Sequence, residues 1–271
     1  MSDLAERNWR LIRDQARDGA TQMALEEIAA RTAIEEELRT VRVYSWAPST
    51  LSLGYHQEAE TVDWEFCERE GIDVTRRQTG GGGIYHDSGA DISYTIVVPA
   101  DEVPGDLMEC YALFCEPILE AFAEMGVDAG FAESEMEAIY RPSCYLRDVH
   151  PAHDVVAGGK KISGNAQYRQ RDVVIQHGSL SYDLEPDRHI GVFATDKLDE
   201  ATFINRVTSV REETGIDREY AVELLGNTLG AWCDADESTW TESELDEARE
   251  LVDRKFGADD WILNREAPKT A

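Results

Sequence analysis

RRQTGGGGIYHD, residues 76–87, sets four glycines between a pair of arginines and a His-Asp pair. Four consecutive glycines, Gly80 to Gly83, forfeit backbone entropy on folding, so a chain keeps them where it needs positive φ or close approach to its backbone. Arg76 and Arg77 precede them and His86-Asp87 follow. Arginines beside bare amides suit an anion, phosphate or carboxylate. Upstream, Ile72 and Val74 stand two apart, a short strand signal. Downstream, DISYTIVVP at 91–99 alternates Ile92, Tyr94, Ile96 and Val98 with Ser93, Thr95 and Val97 until Pro99 ends the strand. The order is strand, glycine loop, strand. That excludes a Walker A loop and a dinucleotide fingerprint, each of which opens a helix. A glycine-rich hairpin tip with no ligand is the alternative reading.

With 271 residues the chain can bury a substantial core, as one large domain or a domain with an appendage. It has no opening apolar run for a signal peptide and no stretch of membrane-span length, which predicts a soluble, cytoplasmic protein. Cys67, Cys110, Cys115, Cys144 and Cys233 are odd in number and scattered, predicting reduced thiols. A net charge of -29 argues against nucleic acid or an anionic membrane as partner. Lys160, Lys161, Lys197, Lys255 and Lys269 are the only lysines, against 55 acidic residues. Such a surface is that of a halophilic protein, in which salt screens self-repulsion, with an ordinary acidic protein as the alternative. Where lysine is avoided, the adjacent pair Lys160-Lys161 marks chemistry.

That pair begins a second informative segment, GGKKISGNAQYRQRDVVIQHGSLSYDL, residues 158–184. Gly158-Gly159 turns the chain after Val155 and Val156, and Val173 and Ile175 alternate with Val174 and Gln176 through His177 toward Leu180. This reads as strand, turn, strand, with Lys161 and Gly164 near the turn.

Together these segments resemble the lipoate–protein ligase and octanoyltransferase family, which shares its catalytic fold with biotin–protein ligases. The family loop RRxxGGGxVxHD is met by Arg76, Arg77, Gly80, Gly81, Gly82, Ile84, His86 and Asp87. The lysine motif GxKixGsAxxR is met by Gly158, Lys160, Lys161, Ile162, Gly164, Ala166 and Arg169. NWRLI near the start, MALEE at 23–27, RVYSWAPSTLSLGYHQ at 42–57, QHGS at 176–179 and RKFGADDW at 254–261 extend the match over nearly the whole chain.

The resemblance implies an α+β fold, mixed and antiparallel sheets flanked by helices, like the catalytic domains of biotin and lipoate ligases and class II synthetases. It implies a lipoate–protein ligase that activates lipoate with ATP and Mg2+ to lipoyl-adenylate. The lipoyl group then passes to one lysine of a lipoyl domain, in the E2 subunit of a 2-oxoacid dehydrogenase or the glycine cleavage H protein. Fixed donors aimed at developing charge are the largest catalytic term available to such chemistry. By the family pattern Lys161 bonds the acyl carbonyl and phosphate. Arg76, Arg77 and the amides of Gly80, Gly81, Gly82 and Gly83 hold carboxylate and adenylate. His86, Asp87, Gly164, Ala166 and His177 complete the substrate and nucleotide site. Ligases commonly carry an asparagine shortly after the His-Asp pair. Here Gly89, Ala90 and Asp91 stand instead, and Asp91 is the candidate magnesium ligand. The competing reading is an octanoyltransferase, in which Cys144 of RPSCY receives octanoate from acyl carrier protein as a thioester. A biotin ligase would carry a different loop, and a non-catalytic acyl or nucleotide binder has little use for Lys161.

HPAHD, with His150, His153 and Asp154, matches no standard zinc spacing. Cys110 and Cys115 fall at helical spacing among apolar residues, and Trp9, Trp46 and Trp261 read as packing anchors. Strands are expected near 8–13, 40–55, 72–78, 91–98 and 154–184, with helices near 19–37 and 105–125. Residues 1–205 form the catalytic core. Residues 206–271 form a helical extension of the same domain, with helices at 217–232 and 242–256. The extension is too short for a full accessory domain, so a ligase of this length implies a separate small accessory subunit docking near Phe203 to Val210.

Overall fold

Ile92, Tyr94, Ile96 and Val98 bury one face of a strand, while Val97 belongs to the core on the other face. This two-residue period sorts the molecule into two cores, one on each side of a single large sheet. The structure is a computed structural model and describes residues 3–132, 143, 154–170 and 172–266. In chain order its elements are β1 (Trp9–Arg13), α1 (Gly19–Glu35), β2 (Arg39–Tyr44), β3 (Thr50–Leu53), α2 (Trp64–Glu70), β4 (Asp73–Arg76), β5 (Ile84–His86) and β6 (Asp91–Pro99). There follow α3 (Leu107–Glu124), β7 (Ala129–Phe131), β8 (Asp154–Ala157), β9 (Lys160–Arg169), β10 (Val173–Ser181), α4 (Pro186–Gly191), α5 (Glu200–Arg206) and α6 (Val210–Thr214). The chain closes with α7 (Arg218–Cys233), β11 (Asp236–Ser238), α8 (Glu242–Leu251), a π-helical turn (Val252–Phe256) and α9 (Asp259–Asn264).

The large sheet has eight strands in the order β11-β1-β2-β6-β10-β9-β8-β7, and a second sheet has the order β4-β3-β5. β1 runs parallel to both its neighbours, and the remaining pairs of the large sheet are antiparallel. On one face lie α1 and the small sheet, sharing a core with Trp46, Phe256 and Trp261; on the other, α3 and α7 share a core with Trp9. The expected α+β class holds, and Cys110 and Cys115 are fully buried in the second core.

Two expectations are corrected. The strand expected over 40–55 is two strands in different sheets, because Pro48 between them has no N–H to continue a ladder. The alternative reading of the glycine loop, a hairpin tip, does not hold either. The loop leaves β4 and enters β5, a strand sequence reading passed over, and these two flank β3 on opposite sides. The loop therefore crosses the end of β3, which explains why its backbone needs unusual freedom.

Residues after 206 are woven into the same body. β11 extends the large sheet beyond β1, α7 packs on α3, and α8 packs on α1. Glu244 of α8 closes its own capping box with Thr241 and also receives Arg10 at 2.6 and 3.1 Å. Within the stretch expected as a docking edge, Phe203, Val207 and Val210 are buried and Val207 bridges to Lys161 on β9, while Ile204 is exposed. Among the described residues no helix is long and apolar enough to cross a membrane.

His189 of α4 is buried between Tyr85 and Phe203, with ring centroids 5.0 and 4.9 Å away. Burial pushes its pKa down from 6.5 to about 4. The unfolded chain takes up this proton below pH 6.5 while the folded chain refuses it until about 4, so stability falls as pH drops through that window. The loss is on the order of 3 kcal/mol at about 1.4 kcal/mol per pH unit. His189→Leu should flatten this part of the thermal-midpoint profile. Identical slopes for the two proteins between those pH values would count against the assignment.

Candidate functional site

Between the two sheets lies a cavity floored by Met23 of α1 and walled by β3, β5, β6, β9 and β10. Of the residues singled out in sequence, Arg77, Gly80, Gly81, His86, Lys161, Gly164, Ala166 and His177 line it. Motifs about eighty residues apart converge because β5, which follows the glycine loop, and β9 lie on opposite walls. Cys144, His150 and His153 lie outside the described residues. Their neighbour Ser143 is buried and bridges to Gly83 of the loop.

Strand alternation separates the two lysines. Lys160 faces outward and pairs with Glu212 at 3.5 Å, whereas Lys161 turns into the cavity, where its Nζ donates to Asp154 Oδ1 at 2.6 Å. A register shift between Val155 and Val156 sets Asp154 opposite Gly164, where an unbroken ladder would set it opposite Ser163. The Lys161 ammonium lies over Gly164, where an added Cβ would meet it at 3.1 Å. The motif glycine thus makes room for the charge.

Arg77 shapes the loop. Its Nη2 donates to the carbonyls of Gly80 and Gly82 at 2.8 and 2.6 Å, its Nη1 to Ser52 O at 2.8 Å, and its Nε to Thr79 Oγ1 at 2.9 Å. Thr79 Oγ1 is also 2.8 Å from His177 Nε2, and His177 Nδ1 meets both Glu26 carboxylate oxygens at 2.9 and 3.0 Å. Because a carboxylate only accepts, Nδ1 carries the proton. Glu26 is buried, which alone would raise its pKa. His177, Arg42 and the Thr95 hydroxyl outweigh burial and hold it below its usual value. Glu26 sits in the MALEE stretch but shows no sequence signal, since a glutamate on a helix ordinarily reads as solvated. Ser52, which lines the cavity, is equally silent in sequence, and Trp46 and Asp154, read there as a packing anchor and as part of HPAHD, line it as well.

Other candidates take different places. Arg76 is fully buried off the cavity, and its guanidinium donates to the carbonyls of Gly54, Tyr55, Gln57 and Ile262 at 2.7–3.0 Å. Nε and Nη1 thus hold protein backbone, while the buried Nη2 meets no partner among the described residues. Asp87 is likewise off the cavity and closes a turn, accepting from the amides of Gly89 and Ala90 and from the Tyr85 hydroxyl. Burial would raise its pKa, but these donors and Arg188 keep it lowered. Gly82 and Gly83 serve the loop's backbone rather than its cavity face. Asp91 accepts from Ser93 at 2.6 Å and meets His86 Nδ1 at 3.3 Å, so its carboxylate is committed and does not fit the magnesium role. Among the described residues no group of three His, Cys, Asp or Glu could hold a metal ion.

The loop also demands a glycine outside itself. A Cβ on Gly54 would fall 1.9 Å from Gly81 O, whereas one on Gly80 would meet nothing within 4 Å. Gly54→Ala should therefore cost about 1–3 kcal/mol, as overpacking does, and Gly80→Ala should leave the midpoint of urea unfolding unchanged. Equal midpoints for Gly54→Ala and the parent would refute the close approach.

The lipoyl protein ligase A/B catalytic-domain model matches residues 18–229. The octanoyltransferase LipM of Halalkalibacterium halodurans is 30% identical, over 95% of this chain and 99% of its own length. A lipoate-protein ligase A solved with ATP superposes with a TM-score of 0.80 at 24% identity, covering 94% of this chain and 98% of its own. A bi-partite lipoate protein ligase from Thermoplasma acidophilum, studied with its E2 lipoyl domain, gives 0.80 at 22%, covering 98% of this chain and all of its own. Motif, fold and full-length similarity agree that this chain is an enzyme of the lipoyl protein ligase A/B catalytic-domain family.

Proposed function

We propose that this enzyme is an octanoyltransferase: it takes a medium-chain acyl group from a carrier-protein thioester and passes it to one lysine of a lipoyl domain. The observation that carries the reading is the 30% identity to an octanoyltransferase over essentially both full chains. The likeness to the ATP-bound ligase, at 24%, speaks for the fold alone. The preference expected from sequence, for an ATP-dependent ligase, is therefore reversed.

The cavity suits this chemistry. Met23, Trp46, Ile84 and Ala166 offer apolar lining for an acyl chain, and Lys161 supplies a compact positive charge where a carbonyl oxygen would become negative. Cys144 follows Ser143, which is bridged to the glycine loop, and would take the acyl group. The carrier C–S bond breaks as the new thioester forms, and the carrier thiol leaves with a proton. The acceptor amine then attacks that thioester, forming the amide and releasing the Cys144 thiol. The partners so implied are acyl carrier protein and the lipoyl domains of E2 subunits or the H protein.

Intact-mass spectrometry of a lipoyl domain, offered octanoyl carrier protein without ATP or lipoate with ATP, tests the reading. Octanoylation in the first arm is expected; modification only in the second would restore the ligase, and with it the question of an accessory subunit. Cys144→Ser should abolish transfer and the acyl-enzyme adduct together. Lys161→Ala should slow transfer on the order of 10²-fold, as lost oxyanion donors do, and Lys161→Arg should recover little because a planar fork replaces a point charge. Normal turnover in the alanine variant would remove Lys161 from the chemistry.

A further inference from the structure

Tyr44, Ser93, Ser179 and Gly164 stand side by side on β2, β6, β10 and β9, paired in register strand by strand, and all four line the cavity. Three of them are glycine or serine, so the row is a shallow lane running across the strands, and the fourth is a full aromatic ring. The next row is filled. Arg42, Thr95, His177 and Ala166 pair in the same strand order, and Glu26 of α1 closes over them, meeting both Thr95 and His177 at 2.9 Å. Both ends of the open lane are fixed. At β9 the Lys161 ammonium lies over Gly164. At β2 Tyr44 is buried, donates its hydroxyl to Glu26 at 3.3 Å and carries the Arg42 guanidinium 3.9 Å over its ring. Trp46 stands 5.6 Å away, itself tied to Ser93 and stacked on His86. A ring held on three sides is a stop rather than a gate. Midway along, the Ser93 hydroxyl accepts from Trp46 and donates to Asp91, so it asks nothing polar of a ligand.

We infer that the acyl chain lies across the strands in this lane, its carbonyl over Gly164 and its methyl end against Tyr44, and that Tyr44 sets the longest chain accepted. The inference rests on the acyl-transfer reading. Three strand spacings of about 4.8 Å separate β9 from β2, about 14 Å in all. Contact with the tyrosine ring takes up about 4 Å of that, which leaves the reach of a medium straight chain. A longer chain meets the ring. A shorter one leaves apolar wall uncovered and forfeits the burial that would bind it. Chain-length choice thus follows from the number of strands the lane crosses before a large side chain closes it.

The test is transfer to a lipoyl domain by the full chain from carrier proteins loaded with butyryl, octanoyl or dodecanoyl groups. The parent should favour octanoyl. Tyr44→Ala should raise kcat/KM for dodecanoyl relative to octanoyl on the order of 10-fold, the scale of a small misfit in an apolar pocket. Ser179→Leu, which plants a side chain in mid-lane, should turn the preference from octanoyl to butyryl on the same scale. A merely structural role would slow all three chains alike and leave their order unchanged, and that result in either folded variant overturns the lane. Should Tyr44→Ala fail to fold, Ser179→Leu decides alone. If the chains move only as free acids with ATP, the transferase reading falls, while the same series in that form still judges the lane. Isothermal titration of the three free acids reads the same order without turnover.

Discussion

The site depends on one buried line of polar contacts, from Glu26 through His177 and Thr79 to Arg77, that reaches from α1 across the cavity to the glycine loop. Four glycines have no side chains to pack, so their conformation must be imposed from outside. Arg77 does this by turning the carbonyls of Gly80 and Gly82 toward itself. Thr79 accepts from Arg77 and so directs its own proton to His177, and His177 in turn needs an acceptor at Nδ1. Glu26 supplies it at the cost of burying a carboxylate, a cost met only because each oxygen has donors around it. Such a chain specifies one loop geometry rather than merely adding stability, because every member left unpaired in another arrangement would be a buried polar group without a partner.

Arginine and lysine divide the work according to their chemistry. Arg76 and Arg77 are rigid, always charged forks, suited to gathering several carbonyls at once, and the structure uses both to bind backbone. Lys161 carries a compact charge on a flexible stem, and its Nζ donates to Asp154 at 2.6 Å within the cavity. This explains why an acid-rich chain with only five lysines keeps one at the cavity.

The C-terminal residues bear on the same loop from behind. Trp261 donates its indole N–H to Arg76 O at 2.8 Å, Arg76 Nε returns a bond to Ile262 O at 2.8 Å, and Lys255 pairs with Glu27 at 2.7 Å beside the loop's Gln78. The segment read in sequence as a helical extension of the domain is therefore part of the wall that aims β4 into the glycine loop.

The strands near 91–98 and within 154–184, the long helices, and the two motifs that share the cavity were legible in the amino acids alone, because two-residue and helical periods and runs of glycine are local signals. The sequence also placed Lys161 and His86 at the site through the resemblance of their motifs to a known family. Folding settles which arginine faces the cavity, that Asp87 closes a turn while Asp91 meets His86, and that Glu26 and Ser52 belong to the site. Each of those outcomes turns on a partner far away in the chain: Glu26 meets His177 across 151 residues, and Arg76 meets Ile262 across 186. A buried charge declares its role only through what it touches, and in this fold those contacts are made where two sheets and the C-terminal helices meet.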